Sequence, residues 1–82
     1  MTIQDTLAER EQTHGSFQAH AELSQALKRT MHCSDNWRSL SDEQREALEM
    51  IQHKVARVLN GNPNHADHWH DIAGYATLCE KQ

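Results

Sequence analysis

The shortage of large apolar side chains is the feature that most constrains how this sequence can fold. Of 82 residues, 30 are apolar, but nine of these are alanine and two are cysteine, so 19 larger side chains remain for a core. Domains near this size bury only roughly 60–65% of the surface that their unfolded chain exposes. Folding also costs about 1.5 kcal/mol of conformational entropy per ordered residue. We therefore expect one domain over residues 1–82 that is marginally stable alone and associates into a homo-oligomer.

The residue types present favour helices over strands. Two valines, three isoleucines, one phenylalanine and one tyrosine supply few strand formers, whereas residues with high helix propensity dominate. The sequence therefore predicts an all-α fold. Start and stop signals divide it into four helices, at about residues 2–14, 16–32, 42–60 and 65–80. The last two helices should form an antiparallel hairpin around the turn at residues 60–63.

The third and fourth helices carry the clearest apolar stripes. Ser41 and Gln44 form a capping box at the start of the third helix. Apolar side chains then recur at helical spacing, which predicts that they form the core: Leu48, Ile51, Val55, Val58 and Leu59 on the third helix, and Trp69, Ile72, Ala73, Ala76 and Cys79 on the fourth. The first helix has only Ile3, Leu7 and Ala8, so we expect it to be weakly anchored.

Charge and hydropathy limit the classes of partner. The formal net charge is −4, from 8 basic and 12 acidic residues, and neither half of the chain is a basic arm. Binding to duplex DNA requires clustered lysine and arginine, so nucleic acid is not an expected partner. No apolar run approaches the roughly 20 residues that a bilayer requires, and the N-terminus lacks an export signal. We expect a cytoplasmic protein without membrane contact, in which Cys33 and Cys79 are reduced, inert thiols.

Residues that could contact a ligand lie along one edge of the fourth helix. His68, Asp71 and Tyr75 stand at i, i+3 and i+7, beside the apolar stripe. Lys54 on the third helix should meet Asp71 across the hairpin, which would place a cation, a carboxylate, an imidazole and a phenol around one cleft. The alternative is a solvated rim of salt bridges. Arg57 is expected further round the third helix, toward solvent.

Histidine is the outlier in the composition, with seven residues. His14, before Gly15 at the junction of the first two helices, could face a ligand site or cap the first helix. His65 and His68 could share a metal ion, but His70 diverges from His68 by about 200° on a helix. Surface or capping roles are the alternative for each. A further alternative is a magnesium site built from carboxylates, namely Glu46, Glu49, Asp67 and Asp71.

Two strings in the sequence resemble phage proteins. The segment at residues 36–78, which contains the string WHDIAGY at residues 69–75, and the string THGSF at residues 13–17 resemble a small family from tailed phages and prophages, and that similarity covers nearly the whole chain. More remotely, the chain is similar to the nucleotide-modification-associated all-α domain of phage genomes. Lys54 and Arg57 match its Lys-x-x-Arg pattern, and Asp71, Ile72 and Tyr75 match its Asp-Ile-x-x-Tyr pattern.

That wider group resembles the MazG-type all-α nucleoside triphosphate pyrophosphatases, which bind magnesium through an acidic pair on each of two helices. The present chain departs from this pattern. His68 and Asp71 stand where such an enzyme has Glu-x-x-Asp. The nucleotide-modification-associated domain has a Tyr-Gly-Asp-like motif early in its sequence, and His14 and Ser16 stand at the Tyr and Asp positions of that motif. Because an acidic ligand is missing, metal binding should be weakened.

Three functions follow as hypotheses. The first is a phage accessory protein that binds a nucleotide or nucleotide-derived signal without turnover or cofactor, sequestering it from a defence system of the host bacterium. Lys54 and Arg57 would hold phosphate, Tyr75 or Trp69 would stack on the base, and Asp71 would accept a ribose or base hydrogen bond. The second is a pyrophosphatase in which the four carboxylates hold Mg²⁺. The third is a protein module that inhibits a host defence enzyme.

Overall fold

Four α-helices account for most of the chain. The computed structural model describes residues 1–81 and contains α1 (Ile3–His14), α2 (Phe17–His32), α3 (Asp42–Asn60) and α4 (Ala66–Glu80), with one turn of 3-10 helix at Trp37–Ser39. The predicted all-α fold is confirmed, since residues 1–81 include no strand. Each helix begins and ends within one residue of its expected bounds. Within the described residues, none of the helices has the length and apolar character that a bilayer crossing requires.

Local hydrogen bonds explain why the helix boundaries could be read from the sequence. Thr2 Oγ1 accepts a bond from the Asp5 N–H at 3.2 Å, and Asp5 Oδ2 accepts one from the Thr2 N–H at 3.1 Å. Ser41 and Gln44 form the same reciprocal pair at the start of α3, at 3.1 and 3.0 Å. Such capping boxes satisfy N–H groups that the helix itself leaves unpaired. They join residues three apart, so no tertiary information is needed to predict them.

The helix α3 is the centre of a single layer of helices. The helices α2 and α4 both pack against α3. The α2 contact includes Gln52 and the α4 contact, as expected for the hairpin, includes Lys54, and these positions are about 160° apart around α3. The helix α1 contacts α2 and α3 only sparsely and contains no buried residue, so its weak anchoring is confirmed. The molecule is elongated, with extents of 43 × 26 × 22 Å.

Hydrogen bonds join the α1–α2 junction to the C-terminal end of α3 and the turn that follows it. The Asn60 side-chain amide donates to the His14 carbonyl at 2.9 Å and to the Ser16 carbonyl at 3.0 Å. The Asn62 N–H donates to the Thr13 carbonyl at 2.8 Å. These bonds join residues more than forty positions apart. They hold the end of α1 beside the C-terminal end of α3 and fix the position of His14.

The core is smaller and more polar than the apolar stripes predict. Among residues 1–81, the buried residues are two alanines and four polar residues: Ala47, Ala56, His20, Ser24, Gln52 and His68. The Ser24 hydroxyl donates to Gln52 Oε1 at 3.2 Å, which joins α2 to α3. His68, which is 1% exposed, is the largest fully buried side chain.

The prediction that the stripes of α3 and α4 form the core is wrong for their largest members. Leu48 is 41% exposed, Trp69 55% and Leu59 64%. The helix α4 contacts α3 through the strip that contains His68, which is rotated by about 100° from Trp69. Trp69 lies instead over the α3–α4 turn, where its indole Nε1 donates to the Pro63 carbonyl at 2.7 Å.

Candidate functional site

A cavity of about 540 Å³ lies where the end of α1, the start of α2 and the C-terminal half of α3 meet. Its walls combine basic, imidazole and apolar side chains with one carboxylate: Leu7, Arg10, Glu11, His14, Gly15, Phe17, His20 and Arg57. This volume is within the range of roughly 300–1,000 Å³ that is typical of small-molecule sites. The cavity is therefore large enough to hold a small-molecule ligand.

Arg57 and His14 form the polar centre of the cavity. Arg57 Nη1 lies 3.0 Å from His14 Nε2. A guanidinium can only donate, so Nε2 accepts and the proton of this neutral imidazole is on Nδ1. Burial, and next the guanidinium of Arg57, lower the pKa of His14 to about 4. No carboxylate within residues 1–81 lies within 4.0 Å of the Arg57 guanidinium.

The charge on Arg57 is held in an unfavourable environment. Burial lowers the pKa of Arg57, and the nearby Arg10 lowers it further. The positive charges of Arg57 and Arg10 therefore lie close enough to repel each other across the cavity. An anion bound between them would relieve this repulsion, because each guanidinium would gain an acceptor of opposite charge.

Further histidines lie behind the cavity wall. The ring centroids of His14 and His68 are 5.2 Å apart, and those of His65 and His68 are 4.7 Å apart. Neither ring nitrogen of the buried His68 has a hydrogen-bond partner among the described residues. Burial, followed by His65, lowers the pKa of His68. This ring is therefore held neutral beside His14.

A second pair of histidines joins α2 to α3. The rings of His20 and His53 meet edge to face, with centroids 4.7 Å apart. Burial, and next Arg57, lower the pKa of His53 to about 4 and also lower that of His20. The wall of the cavity on this side is therefore uncharged imidazole near neutral pH.

The expected contact between Lys54 and Asp71 is present. Lys54 Nζ lies 2.9 Å from Asp71 Oδ2, and the lysine side chain is only 15% exposed. The hydrogen bond from Lys54 lowers the pKa of Asp71. Because each charge satisfies the other, this pair holds α3 to α4 and offers less to a ligand than Arg57 does.

The six residues singled out in the sequence fall into three places. His14 and Arg57 line the cavity, so the expectation that Arg57 faces solvent is wrong. His68 is buried behind His14. Asp71 and Tyr75 line a separate, shallow groove on α4 together with three neighbours, namely His70, Gly74 and Leu78, while Lys54 does not line it. Asp71 and Tyr75 therefore share one groove, and Lys54 contacts the Asp71 of that groove without lining it.

Sequence reasoning missed six residues of the cavity: Leu7, Arg10, Glu11, Gly15, Phe17 and His20. Arg10 and His14 are four residues apart on α1 and therefore share one face of that helix. This four-residue spacing is the local sequence signal that places Arg10 beside His14. Nothing local indicated that this face would meet Arg57, which lies 43 positions beyond His14 in the chain.

The four carboxylates considered for magnesium do not form a site within one chain. Glu49 pairs with His32 at 3.0 Å, and Asp67 lies 3.7 Å from His65. Asp71 pairs with Lys54, and Glu46 lines a different groove between α3 and α4. In the part of the chain that the structure describes, no three His, Cys, Asp or Glu side chains are placed to hold a metal ion. The residues therefore do not fit the metal site that the MazG-type resemblance implies.

Comparison with known proteins identifies one family. The family described as a domain of unknown function, DUF6378, matches residues 3–82. The chain therefore belongs to this family. No curated protein and no solved structure matches it.

Proposed function

We propose that this member of the DUF6378 family binds a nucleotide or a nucleotide-derived signal in the cavity between α1, α2 and α3, without turning it over. The observation that carries the proposal is the environment of Arg57. Its guanidinium is half-buried, has a neutral imidazole as hydrogen-bond partner and has no carboxylate within 4.0 Å among residues 1–81. A phosphate group supplies the missing countercharge.

Two arginines favour phosphate over a simple carboxylate ligand. The planar fork of a guanidinium donates two parallel hydrogen bonds to a phosphate, and these are among the strongest hydrogen bonds in proteins. Arg10 also lines the cavity, and its charge acts on Arg57. A ligand with two phosphoryl groups, or one dianionic group, would neutralise both charges.

Apolar side chains at the rim suit the nucleoside part of such a ligand. Phe17 is 82% exposed and Leu7 is 58% exposed, yet both line the cavity. An exposed aromatic ring offers a stacking surface to any base, and stacking contributes roughly 1–3 kcal/mol per base. Phe17 therefore takes the stacking role that the sequence suggested for Tyr75 or Trp69, which lie elsewhere.

The biological setting is part of the proposal and is supported by the resemblance to phage proteins. A nucleotide-binding protein without turnover would act as a cytoplasmic sink for a signal in the infected bacterial cell. Two observations support binding without turnover: the carboxylates Glu49, Asp67 and Asp71 pair with basic side chains of the same chain, and they lie outside the cavity.

Isothermal titration calorimetry tests the proposal. The probes are AMP, ADP, ATP, cyclic mononucleotides, cyclic dinucleotides and inorganic pyrophosphate. Arg57→Gln should weaken binding of the best probe by about 10- to 100-fold, because a hydrogen bond to a charged group contributes roughly 1.5–3 kcal/mol. Arg29→Gln is the matched control, since Arg29 is exposed on α2 outside the cavity and its loss should leave affinity unchanged.

Two results would overturn the proposal or part of it. If none of the probes binds to protein at about 100 μM, a concentration that would detect even weak sites, the cavity is not a nucleotide site. If a probe binds but chromatography after incubation with magnesium shows that it has been hydrolysed, the claim of binding without turnover fails and the pyrophosphatase hypothesis replaces it.

A further inference from the structure

The layer formed by α2, α3 and α4 has two faces of opposite character. One face carries the cavity, α1 and the charged side chains of α3, including Lys54 and Arg57. The other face is defined here by six side chains and is called the apolar face: Leu23, Leu48, Val55, Leu59, Trp69 and Ala76. Each of the six is half-buried or exposed.

The contacts between helices fix which residues share this face. The Ser24–Gln52 bond orients α2 on α3, and the Lys54–Asp71 pair orients α4 on α3. At 100° per residue, Leu48, Val55 and Leu59 lie within about 40° of one another around α3. They are on the side opposite Arg57, between the strip of α3 that contacts α2 and the strip that contacts α4. The same spacing places Leu23 on the adjoining edge of α2, and Trp69 with Ala76 on the adjoining edge of α4.

The molecule exposes more surface than a compact monomer of its mass. Its accessible surface is 6021 Å². A compact monomer of 9.4 kDa exposes about 5,000 Å². The excess of about 1,000 Å² is close to the roughly 800 Å² that each partner buries in a stable interface. The radius of gyration, 14.3 Å, likewise exceeds the value of about 12 Å expected for a compact domain of this length.

A single layer of helices cannot bury its own apolar side chains. Stable domains consist of at least two packed layers around one core, and among residues 1–81 the buried apolar residues are only Ala47 and Ala56. The sequence pattern of α3 and α4 is that of buried helices, yet the largest side chains of both stripes are exposed in the single chain. These stripes therefore require a second layer that the described chain does not contain.

We infer that a second copy of this chain covers the apolar face, so that the protein is a two-fold homodimer of two three-helix layers. A two-fold axis places the same patch on itself, and a patch made only of apolar side chains is complementary to itself. Homodimer interfaces are also more apolar than interfaces between proteins that fold separately. The cavity lies on the opposite face, so the dimer leaves it open and this inference does not rest on the proposed function.

Sedimentation velocity with matched variants tests the inference. At about 50 μM, the wild-type protein should have twice the mass of one chain, since association is governed by mass action. Leu59→Glu should reduce the mass to that of one chain, because a buried carboxylate without a partner is strongly unfavourable. Leu78→Glu is the control: Leu78 is also 64% exposed but lines grooves on the other side of α4, so this variant should remain a dimer.

A second measurement on the wild-type protein covers the case in which Leu59→Glu fails to fold. Carbene footprinting should show that Leu48, Leu59 and Trp69 become protected at high protein concentration, whereas Phe17 and Leu78 do not. A wild-type protein that sediments as one chain at about 50 μM overturns the inference. So does a Leu59→Glu variant that remains a dimer, or protection that falls on Leu78 instead of Leu59.

Discussion

Replacing Gly15 by alanine should be one of the most damaging small changes in this chain. Gly15 ends α1 with φ of 77° and ψ of −171°, a backbone conformation that side-chain-bearing residues essentially never adopt. A Cβ added to it would overlap the carbonyl oxygen of Asn60. That oxygen is backbone, and the Asn60 side chain is bonded to the carbonyls on either side of Gly15, so neither group can move without breaking the junction.

The expected cost follows from these two effects. A residue forced into this backbone region costs about 1–3 kcal/mol, and overpacking against a fixed neighbour typically costs another 1–3 kcal/mol. We therefore expect Gly15→Ala to lower the free energy of unfolding by about 2–6 kcal/mol. In a domain of this size each kcal/mol lowers Tm by roughly 4–8 °C, so Tm should fall by at least about 8 °C.

Gly74→Ala provides the matched control for the same chemical change. Gly74 is exposed in α4, and a Cβ there would meet no atom within 4 Å. Since glycine in a helix interior costs roughly 0.5–1 kcal/mol relative to alanine, Gly74→Ala should raise the stability by that amount. Circular dichroism during thermal and urea unfolding, at one protein concentration, measures both variants. Equal stability of Gly15→Ala and the wild type would refute the account of the interlocked junctions.

Two further predictions concern charged and titratable groups. The pKa values of His14 and His53 are about 4 in the folded protein but 6.5 in the unfolded chain, so between these values the unfolded chain binds more protons. Stability should therefore fall as the pH is lowered from about 6.5 to about 4, and the double variant His14→Gln/His53→Gln should show a shallower fall in urea unfolding. Asp71→Asn should lower the stability, because the mostly buried Lys54 loses its countercharge. Asp35→Asn, in an exposed turn, should change it by less than about 0.5 kcal/mol, and equal losses in both variants would contradict this account.

Some contacts of the candidate site follow from the sequence, and others depend on the tertiary structure. Lys54 and Asp71 were expected to meet because a short turn forces two helices into a hairpin, and a hairpin fixes which positions face each other. The position of His14 beside Gly15 fits either a ligand site or a helix cap. The helical spacing of α3 predicts that Arg57 faces solvent, and this prediction is wrong. Their contact depends on α1 folding back onto α3, and that step is fixed by the bonds from Asn60 to the carbonyls near Gly15.

The sequence by itself determined the number, bounds and type of the helices. Caps, stop signals and apolar spacing act between residues three or four apart, so they operate in the same way whatever the rest of the chain does. Only the tertiary structure decided which face of each helix is covered. A stripe such as that of Leu48 and Trp69 signals that burial is needed, but burial depends on which neighbour reaches the stripe. In one chain α3 and α4 meet through strips that include Lys54 and Asp71, and Leu48, Leu59 and Trp69 are left exposed.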